Sequence, residues 1–305
     1  MIRKKLIVTG ASGFIGRNLV RDLLDNAIDV CCLGRSLETL NMCDKRAQKH
    51  ATDFSVADLS KTMAGYSGII HLAGRRATRE DDPDRVSPFT GVAMPMMDNL
   101  MEAARNSGIE RVVTASSIAV YGPQNTAPYN EADVPVPTNH YGLSKLFSEY
   151  AGNTWGARND ISVAHARIAA CYGHGEKGTP ALMSFVNKAR KKLQIKLTDG
   201  GRYQIDEIYV MDVVSALRSM MESDSGGAFN IGSGCGFSIR EIAETANRVF
   251  DNPTPILIEP EREDGRGGDD RHMSIAKAQE KLGWTPVFDL ESGLQAMRDA
   301  GQAPA

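Results

Sequence analysis

Ile7-Val8-Thr9-Gly10-Ala11-Ser12-Gly13-Phe14-Ile15-Gly16 sets a short apolar run before three glycines spaced three apart, and an amphipathic run from Asn18 to Leu24 follows. This is the layout of a strand, a turn and a helix around a phosphate. Gly10 lets the chain turn without a Cβ clash, and Gly13 lets a pyrophosphate approach the backbone. Gly16 lets the helix pack closely on the strand, and the helix N-terminus favours the anion. The spacing is Gly-x-x-Gly-x-x-Gly, and no Lys-Ser or Lys-Thr follows the last glycine, which excludes a Walker loop.

At 305 residues the chain can bury a large core, as one α/β domain or two interlocked lobes. A net charge of −3 gives no support for broad nucleic-acid or membrane binding, so an anion must be held locally. The five cysteines contain no Cys-x-x-Cys pair and are odd in number, which fits a reduced, cytoplasmic compartment. No metal is expected. The apolar run after the basic Met1–Lys5 is cut short by Thr9-Gly10, so it reads as a strand rather than a signal sequence.

Short β-branched runs alternate with longer amphipathic segments. Residues 6–8, 29–33, 68–72, 111–115 and 161–166 read as buried parallel strands, and 13–25, 96–107 and 141–155 as helices. That alternation predicts an α/β fold with a doubly wound parallel sheet. Strand-like 205–210 and apolar 228–231 are expected to return to this first lobe. The division expected is a dinucleotide-binding domain over 1–170, with return segments near 205–231. A smaller C-terminal substrate-binding lobe would take 171–204 and 232–305.

A second constellation is Tyr141-Gly-Leu-Ser-Lys145, whose first and last side chains share a helix face. Ser116-Ser117 ends the strand 111–115, and ligands of doubly wound sheets sit beyond such ends. A serine, a tyrosine and a lysine together can oxidise an alcohol or reduce a carbonyl. An unperturbed tyrosine holds its proton to a pH near 10. A cation about 4 Å away at an effective dielectric of about 20 contributes roughly 4 kcal/mol, or about three pKa units. Lys145 and an oxidised nicotinamide would supply that charge, fitting Tyr141 for acid/base work while Ser117 holds the substrate oxygen.

The glycine run, His71-Leu72-Ala73-Gly74, Ser116-Ser117-x-x-Val120-Tyr121-Gly122, Tyr141-Gly-x-Ser-Lys145 and Asn230-Ile231-Gly232-Ser233-Gly234 resemble the extended short-chain dehydrogenases/reductases. Within them they resemble the NAD(P)-dependent nucleotide-sugar epimerase/dehydratase branch. The resemblance implies a Rossmann sheet in which Gly10, Gly13, Phe14, Ile15 and Gly16 line the pyrophosphate and Asp53 and Phe54 flank the adenine. It also implies that Leu72, Ala73 and Gly74 border the nicotinamide ribose, with Tyr141 and Lys145 completing the cofactor contacts. Arg266 resembles an arginine that meets the nucleotide diphosphate, and a homodimer is implied.

The departures bear on the reaction. Dehydratases of this branch carry carboxylates where this chain reads Ile118-Ala119, and decarboxylases carry a Glu at the place of Ala119. Epimerisation and keto-reduction are left. The usual Asn before Val-Tyr-Gly is Ala170, and the usual Arg before Asp206 is Ile205, so the nucleotide-sugar must be bound differently; Arg202 is a candidate replacement cation. Gly34-Arg35 stands where NAD enzymes place an acidic ribose clamp, which favours NADP and leaves NAD open. The expected activity is therefore keto-reduction of a nucleotide-linked sugar. A 4-epimerase with retained cofactor is the alternative, and a non-catalytic dinucleotide sensor a further one.

Overall fold

The computed structural model describes residues 5–75, 85–176, 181–260 and 269–301. The chain opens with β1 (Lys5–Thr9), α1 (Phe14–Asp25), β2 (Asp29–Gly34), α2 (Leu37–Leu40), β3 (Gln48–Ala51), α3 (Val56–Met63) and β4 (Gly68–His71). It continues through α4 (Ser87–Asn106), β5 (Arg111–Ser117), α5 (His140–Asn159), β6 (Ser162–Ile168) and β7 (Ala170–Tyr172). After α6 (Ala181–Arg190), β8 (Lys196–Leu197), β9 (Gln204–Ile205) and β10 (Glu207–Tyr209), helix α7 (Val210–Glu222) leads to β11 (Gly227–Ile231).

Seven parallel strands form the main sheet in the order β11-β6-β5-β4-β1-β2-β3. The order reverses between β1 and β4, so the carboxyl ends of those strands open the crevice in which such folds hold a dinucleotide. Burial on both faces explains the near-continuous apolar strands: Ile7, Val8, Cys32, Leu33, Ile69, Ile70, Val112 and Val113 are all closed from solvent. Among the described residues, no helix is long and apolar enough to cross a membrane.

The strand expected over 205–210 does not join this sheet. It splits at Asp206: β9 pairs antiparallel with β12 (Phe237–Ser238), β10 pairs parallel with β7, and Val210 opens α7. The cause is the Asp206 side chain. It accepts the Ser233 N–H at 2.7 Å and the Ser233 hydroxyl at 2.8 Å, which pins the bend. Residues 227–231 do return, as the edge strand beside β6. Helix α4 starts nine residues before the expected boundary and runs through Pro95.

A second core joins α6, α8 (Ile239–Val249) and α10 (Leu290–Ala300) around Phe185, Val186, Ile242 and Leu294. The two-residue strands β8 and β13 (Leu257–Ile258) pair at its margin. Ile15 packs against both cores and Phe14 against this second one, so the glycine turn lies at their junction. Part of the segment expected in the smaller lobe crosses back. Met273, Ile275, Ala278 of α9 (Ala276–Leu282) and Trp284 are buried in the core of the main sheet.

Candidate active site

The glycine turn is built as its spacing predicts. Gly10 sits at φ 66°, and a Cβ there would come within 2.6 Å of the Ala73 nitrogen and the Leu72 carbonyl carbon. A Cβ on Gly16 would overlap the Gly10 carbonyl oxygen and stand 2.8 Å from the Ala11 Cα. Gly13 differs. A Cβ there would meet only the Gly10 oxygen, at 3.1 Å, so its other side is open to a ligand. Helix α1 begins at Phe14 with no acidic residue in its first turn and no side-chain cap, so its dipole faces that opening uncompensated. A cradle that Cβ atoms would fill, set at a helix N-terminus, fits a pyrophosphate.

Beyond the ends of β4 and β5 the second constellation assembles. Leu72 and Ala73 are held to β1 by the Thr9 carbonyl, at 3.1 Å, and the Thr9 hydroxyl, at 3.3 Å. The Ser117 Oγ accepts the Ala119 N–H at 3.2 Å and so starts the 3-10 turn Ile118–Val120. Asn139 caps α5 by accepting the Gly142 N–H at 2.8 Å. Gly142 lies so close to the Ala119 carbonyl that a Cβ would overlap it, which docks the first turn of α5 onto the turn after Ser117. The first turn of α5, which carries Tyr141, is thereby held against the turn that follows Ser117. The Lys145 Nζ donates to the Ala115 carbonyl at 2.8 Å and stands 5.7 Å from the centre of the Tyr141 ring. A Cβ on Gly74 would be 3.5 Å from that Nζ, so the lysine bridges the loop after β4 and the end of β5.

His71, beside this lysine, is a structural residue. It is buried and bonded to the Thr9 hydroxyl at 2.7 Å, and burial followed by the Lys145 charge lowers its pKa to about 3.

One turn further along α5 lies a feature that the sequence reading missed. Glu149 forms a buried ion pair with Arg167 of β6 at 2.7 Å, and both side chains are 5% exposed. Ser116 donates to the same carboxylate, and Arg167 donates to the Tyr121 hydroxyl at 2.9 Å, which in turn donates to Asn230 at 2.8 Å. Burial alone would lower the Arg167 pKa, but the Glu149 carboxylate outweighs it and keeps the guanidinium charged. The network ties α5, which carries Tyr141 and Lys145, to β5, β6 and β11. The signals available were the i, i+4, i+8 stripe Tyr141, Lys145, Glu149 and the single arginine within an apolar strand.

At the adenosine end, Arg35 is exposed just past β2, and a Cβ on Gly34 would meet the Leu40 side chain at 3.0 Å. Asp53 is exposed, and its carboxylate accepts the Ser55 N–H at 2.8 Å, which lowers its pKa. Phe54 turns its ring into the core beside Leu33 and Leu59 at φ 60°, so only its backbone can face a ligand. Arg202 is exposed after the 3-10 turn Asp199–Gly201, and Arg266 lies outside the described residues. Asp206 is buried and also accepts the Met273 N–H at 3.3 Å; desolvation outweighs these bonds and pushes its pKa up to about 6. Its neighbour Glu207 is buried with no partner at either oxygen.

A helix carrying Tyr-x-x-x-Lys, docked on the turn after a serine at the carboxyl edge of a doubly wound sheet, defines the class: an extended short-chain dehydrogenase/reductase. Comparison with known proteins narrows it. Residues 6–232 match the model of the NAD dependent epimerase/dehydratase family, to which the chain belongs. The UDP-glucose 4-epimerase of Mycolicibacterium smegmatis is 33% identical over 95% of this chain and 96% of its own length. The UDP-N-acetylglucosamine 4-epimerase of Bacillus cereus shares the fold, with a TM-score of 0.86 at 24% identity over 99% of this chain and 98% of its own. MoeE5, solved with UDP-glucose and NAD, has a TM-score of 0.82 at 26% identity over 98% of both chains. The chain is an enzyme of the nucleotide-sugar branch.

Proposed function

We propose that this chain is a UDP-sugar 4-epimerase that keeps its nicotinamide dinucleotide bound through the catalytic cycle. The observation that carries the reading is that α5, with Tyr141 and Lys145, docks through Gly142 on the turn Ile118–Val120 that follows Ser117 and holds no carboxylate. Removing water from a sugar needs an acid and a base there, and neither residue 118 nor 119 can act as one. The expectation of keto-reduction yields to its alternative, because relatives that match more than nine-tenths of this chain are named as UDP-glucose 4-epimerases. A non-catalytic sensor would have no use for the full Ser-Tyr-Lys set.

Bound in the Gly10–Gly16 cradle, the dinucleotide supplies a hydride acceptor that can return the hydride. The chain's own residues manage the proton. Tyr141 takes it from the 4-hydroxyl and gives it back after the sugar presents its other face. Lys145 holds positive charge under the phenol, and Ser117 holds the substrate oxygen. The absence of a carboxylate at Gly34-Arg35 supports NADP as the bound form, because arginine can pair with a 2′-phosphate. The exposed apolar side chains of Val92, Leu143 and Tyr150 on α4 and α5 support a homodimer across these helices. The five free thiols suit the reducing cytoplasm.

Incubation with UDP-galactose, followed by proton NMR and mass spectrometry, tests the reading. UDP-glucose of unchanged mass should form with no net change in the cofactor. A product heavier by two, formed from a 4-keto sugar with stoichiometric NADPH oxidation, would restore the reductase; one lighter by eighteen would mean dehydration.

A further inference from the structure

Helix α5 lies on the sheet through a face with almost no side chains. Of its residues closed from solvent, Gly142, Ser144, Gly152 and Gly156 carry nothing longer than a serine, and Glu149 is the only larger one. A Cβ on Gly152 would stand 2.9 Å from the His165 ring, and one on Gly156 would stand 2.6 Å from the Ile161 carbonyl oxygen. The helix therefore sits as close to its strand as the backbone allows. Glycine and serine permit that approach but give the helix no side chain to interdigitate with the sheet.

Glu149 supplies what that face lacks. Its carboxylate accepts from the Arg167 Nε at 3.0 Å and Nη2 at 2.7 Å, a two-pronged clamp, and from the Ser116 hydroxyl. Ser116 and Arg167 are paired neighbours on β5 and β6, and Ser117 follows Ser116 as the last residue of β5. Helix α5 is thus pinned across two strands, one residue short of that end. Lys145 and Tyr141 stand four and eight residues before Glu149, about 6 and 12 Å along the helix axis. Lys145 and Asn153 also reach the sheet, but each through a single bond, to the Ala115 carbonyl at 2.8 Å and to His165 at 3.1 Å.

Stability does not account for an ion pair at this place. A buried carboxylate and guanidinium lose about as much on leaving water as they gain from each other, and well-packed apolar side chains of the same volume often hold a fold as well or better. What an apolar pair lacks is direction, which the guanidinium fork and the serine hydroxyl impose on the carboxylate. We infer that Glu149 is a positioning residue, which holds α5 in register on β5 and β6 so that the Tyr141 phenol meets the reacting hydroxyl. This inference rests on the epimerase reading above. A misplacement of about 1 Å at the reacting atoms lowers a rate by about 10². A helix left to settle elsewhere on so smooth a face would still fold, but it would turn over slowly.

The test uses the full chain with UDP-galactose and separates rate from stability. Glu149→Leu/Arg167→Met removes both charges, so Tm should stay close to that of wild type while kcat falls by about 10² and KM changes by less than about threefold. Glu149→Gln keeps the length of the side chain, accepts from Arg167 and bonds Ser116, but leaves the guanidinium without a counter-charge. Its Tm should lie below that of the double variant, yet its kcat should exceed the double variant's by about tenfold. A kcat that follows Tm across the three proteins, or one within about threefold of wild type in the double variant, would make the pair structural and overturn the inference. If the double variant does not fold, Glu149→Asp decides. It keeps both charges on a side chain one methylene shorter, and a kcat lowered by about tenfold supports the role while an unchanged kcat overturns it. If wild type interconverts no UDP-sugar, the epimerase reading fails separately. Fluorine NMR of the chain labelled with 3-fluorotyrosine then decides on Glu149, with the Tyr141 signal assigned by its loss in Tyr141→Phe. That signal should move in the double variant while the signal of Tyr66, bonded to Gln48 at the far edge of the sheet, stays in place. An unmoved Tyr141 signal overturns the inference.

Discussion

The turn between β1 and α1 and the strand pair β7–β10 lie at the same edge of the molecule, but they meet their physical demands in opposite ways. In the turn each glycine answers a local requirement: a left-handed φ at Gly10, a close approach at Gly16 and open space at Gly13. Nothing polar is stranded there except the helix N-terminus, which is the binding device itself. The strand pair carries an acid bonded on three sides, Asp206, beside one bonded on none, Glu207. On the proposed function, the cofactor half is thus organised by backbone geometry, which tolerates few alternatives. The substrate half is organised by side chains, which can be exchanged one at a time, and it is there that Ala170, Ile205 and Glu207 gather.

The sharpest attempt to break this contrast removes the hydroxyl to which the proposed function gives the proton. Tyr141→Phe should lower the epimerisation rate by about 10² or more while leaving dinucleotide affinity nearly unchanged. Steady-state rates and a fluorescence titration of the cofactor would check it. Near-normal turnover would mean that the proton is handled elsewhere, and the substrate half would be the place to look. Next in size is the support beneath Tyr141. Glu149→Leu strands the Arg167 guanidinium in a site that is 5% exposed, and it should cost about 3–5 kcal/mol in chemical denaturation. The double variant Glu149→Leu/Arg167→Met should recover most of that loss, because the cost lies in the unpaired charge.

The sequence was readable where the constraint was local. Three glycines, a Tyr-x-x-x-Lys spacing and short apolar runs placed β1, α1, β4, β5 and α5. Strand β3 escaped because Gln48-Lys49-His50-Ala51 is a polar sheet edge with no apolar run. Helix α7 escaped because Val210-Met211 continues the β-branched pattern of β10, and only Asp206 fixes where the strand stops. The Glu149–Arg167 pair spans 18 residues and needs the sheet to bring its members together. Phe54 lies next to an exposed aspartate, and nothing in its position tells that its ring turns inward. Arg202 was chosen as a replacement cation, and charge does not say where a loop points.

Cofactor choice tests whether even the cofactor half has one exchangeable position. Gly34-Arg35 lies past the end of β2, outside the glycine turn, and Arg35 is exposed. Arg35→Asp should lower NADPH affinity at least tenfold relative to NADH, or about 1.4 kcal/mol, in calorimetric titration. Equal affinities for the two cofactors in wild type would remove the basis for NADP and leave the adenosine end as conventional as the turn.

The smallest effect expected is on stability, and it separates the two acids of the strand pair. Unfolded aspartate and glutamate ionise near pH 4. Folding raises Asp206 to about 6 and Glu207 well above its ordinary value, in both cases chiefly through burial. A carboxyl raised in this way keeps its proton in the folded chain at pH values where the unfolded chain has lost it. Its contribution to stability is therefore greatest in acid and declines as pH rises, through about 6 for Asp206 and beyond that for Glu207. Glu207→Gln removes the second decline and leaves the first. The difference in Tm between variant and wild type should be smallest near pH 5 and should grow in favour of the variant toward pH 8, by roughly 1.5 °C for each kcal/mol relieved. Effects of pH common to the rest of the chain cancel in that difference. Parallel curves from pH 5 to 8 would mean that Glu207 ionises alike in both states, and the buried, unpaired acid that distinguishes the substrate half would lose its physical basis.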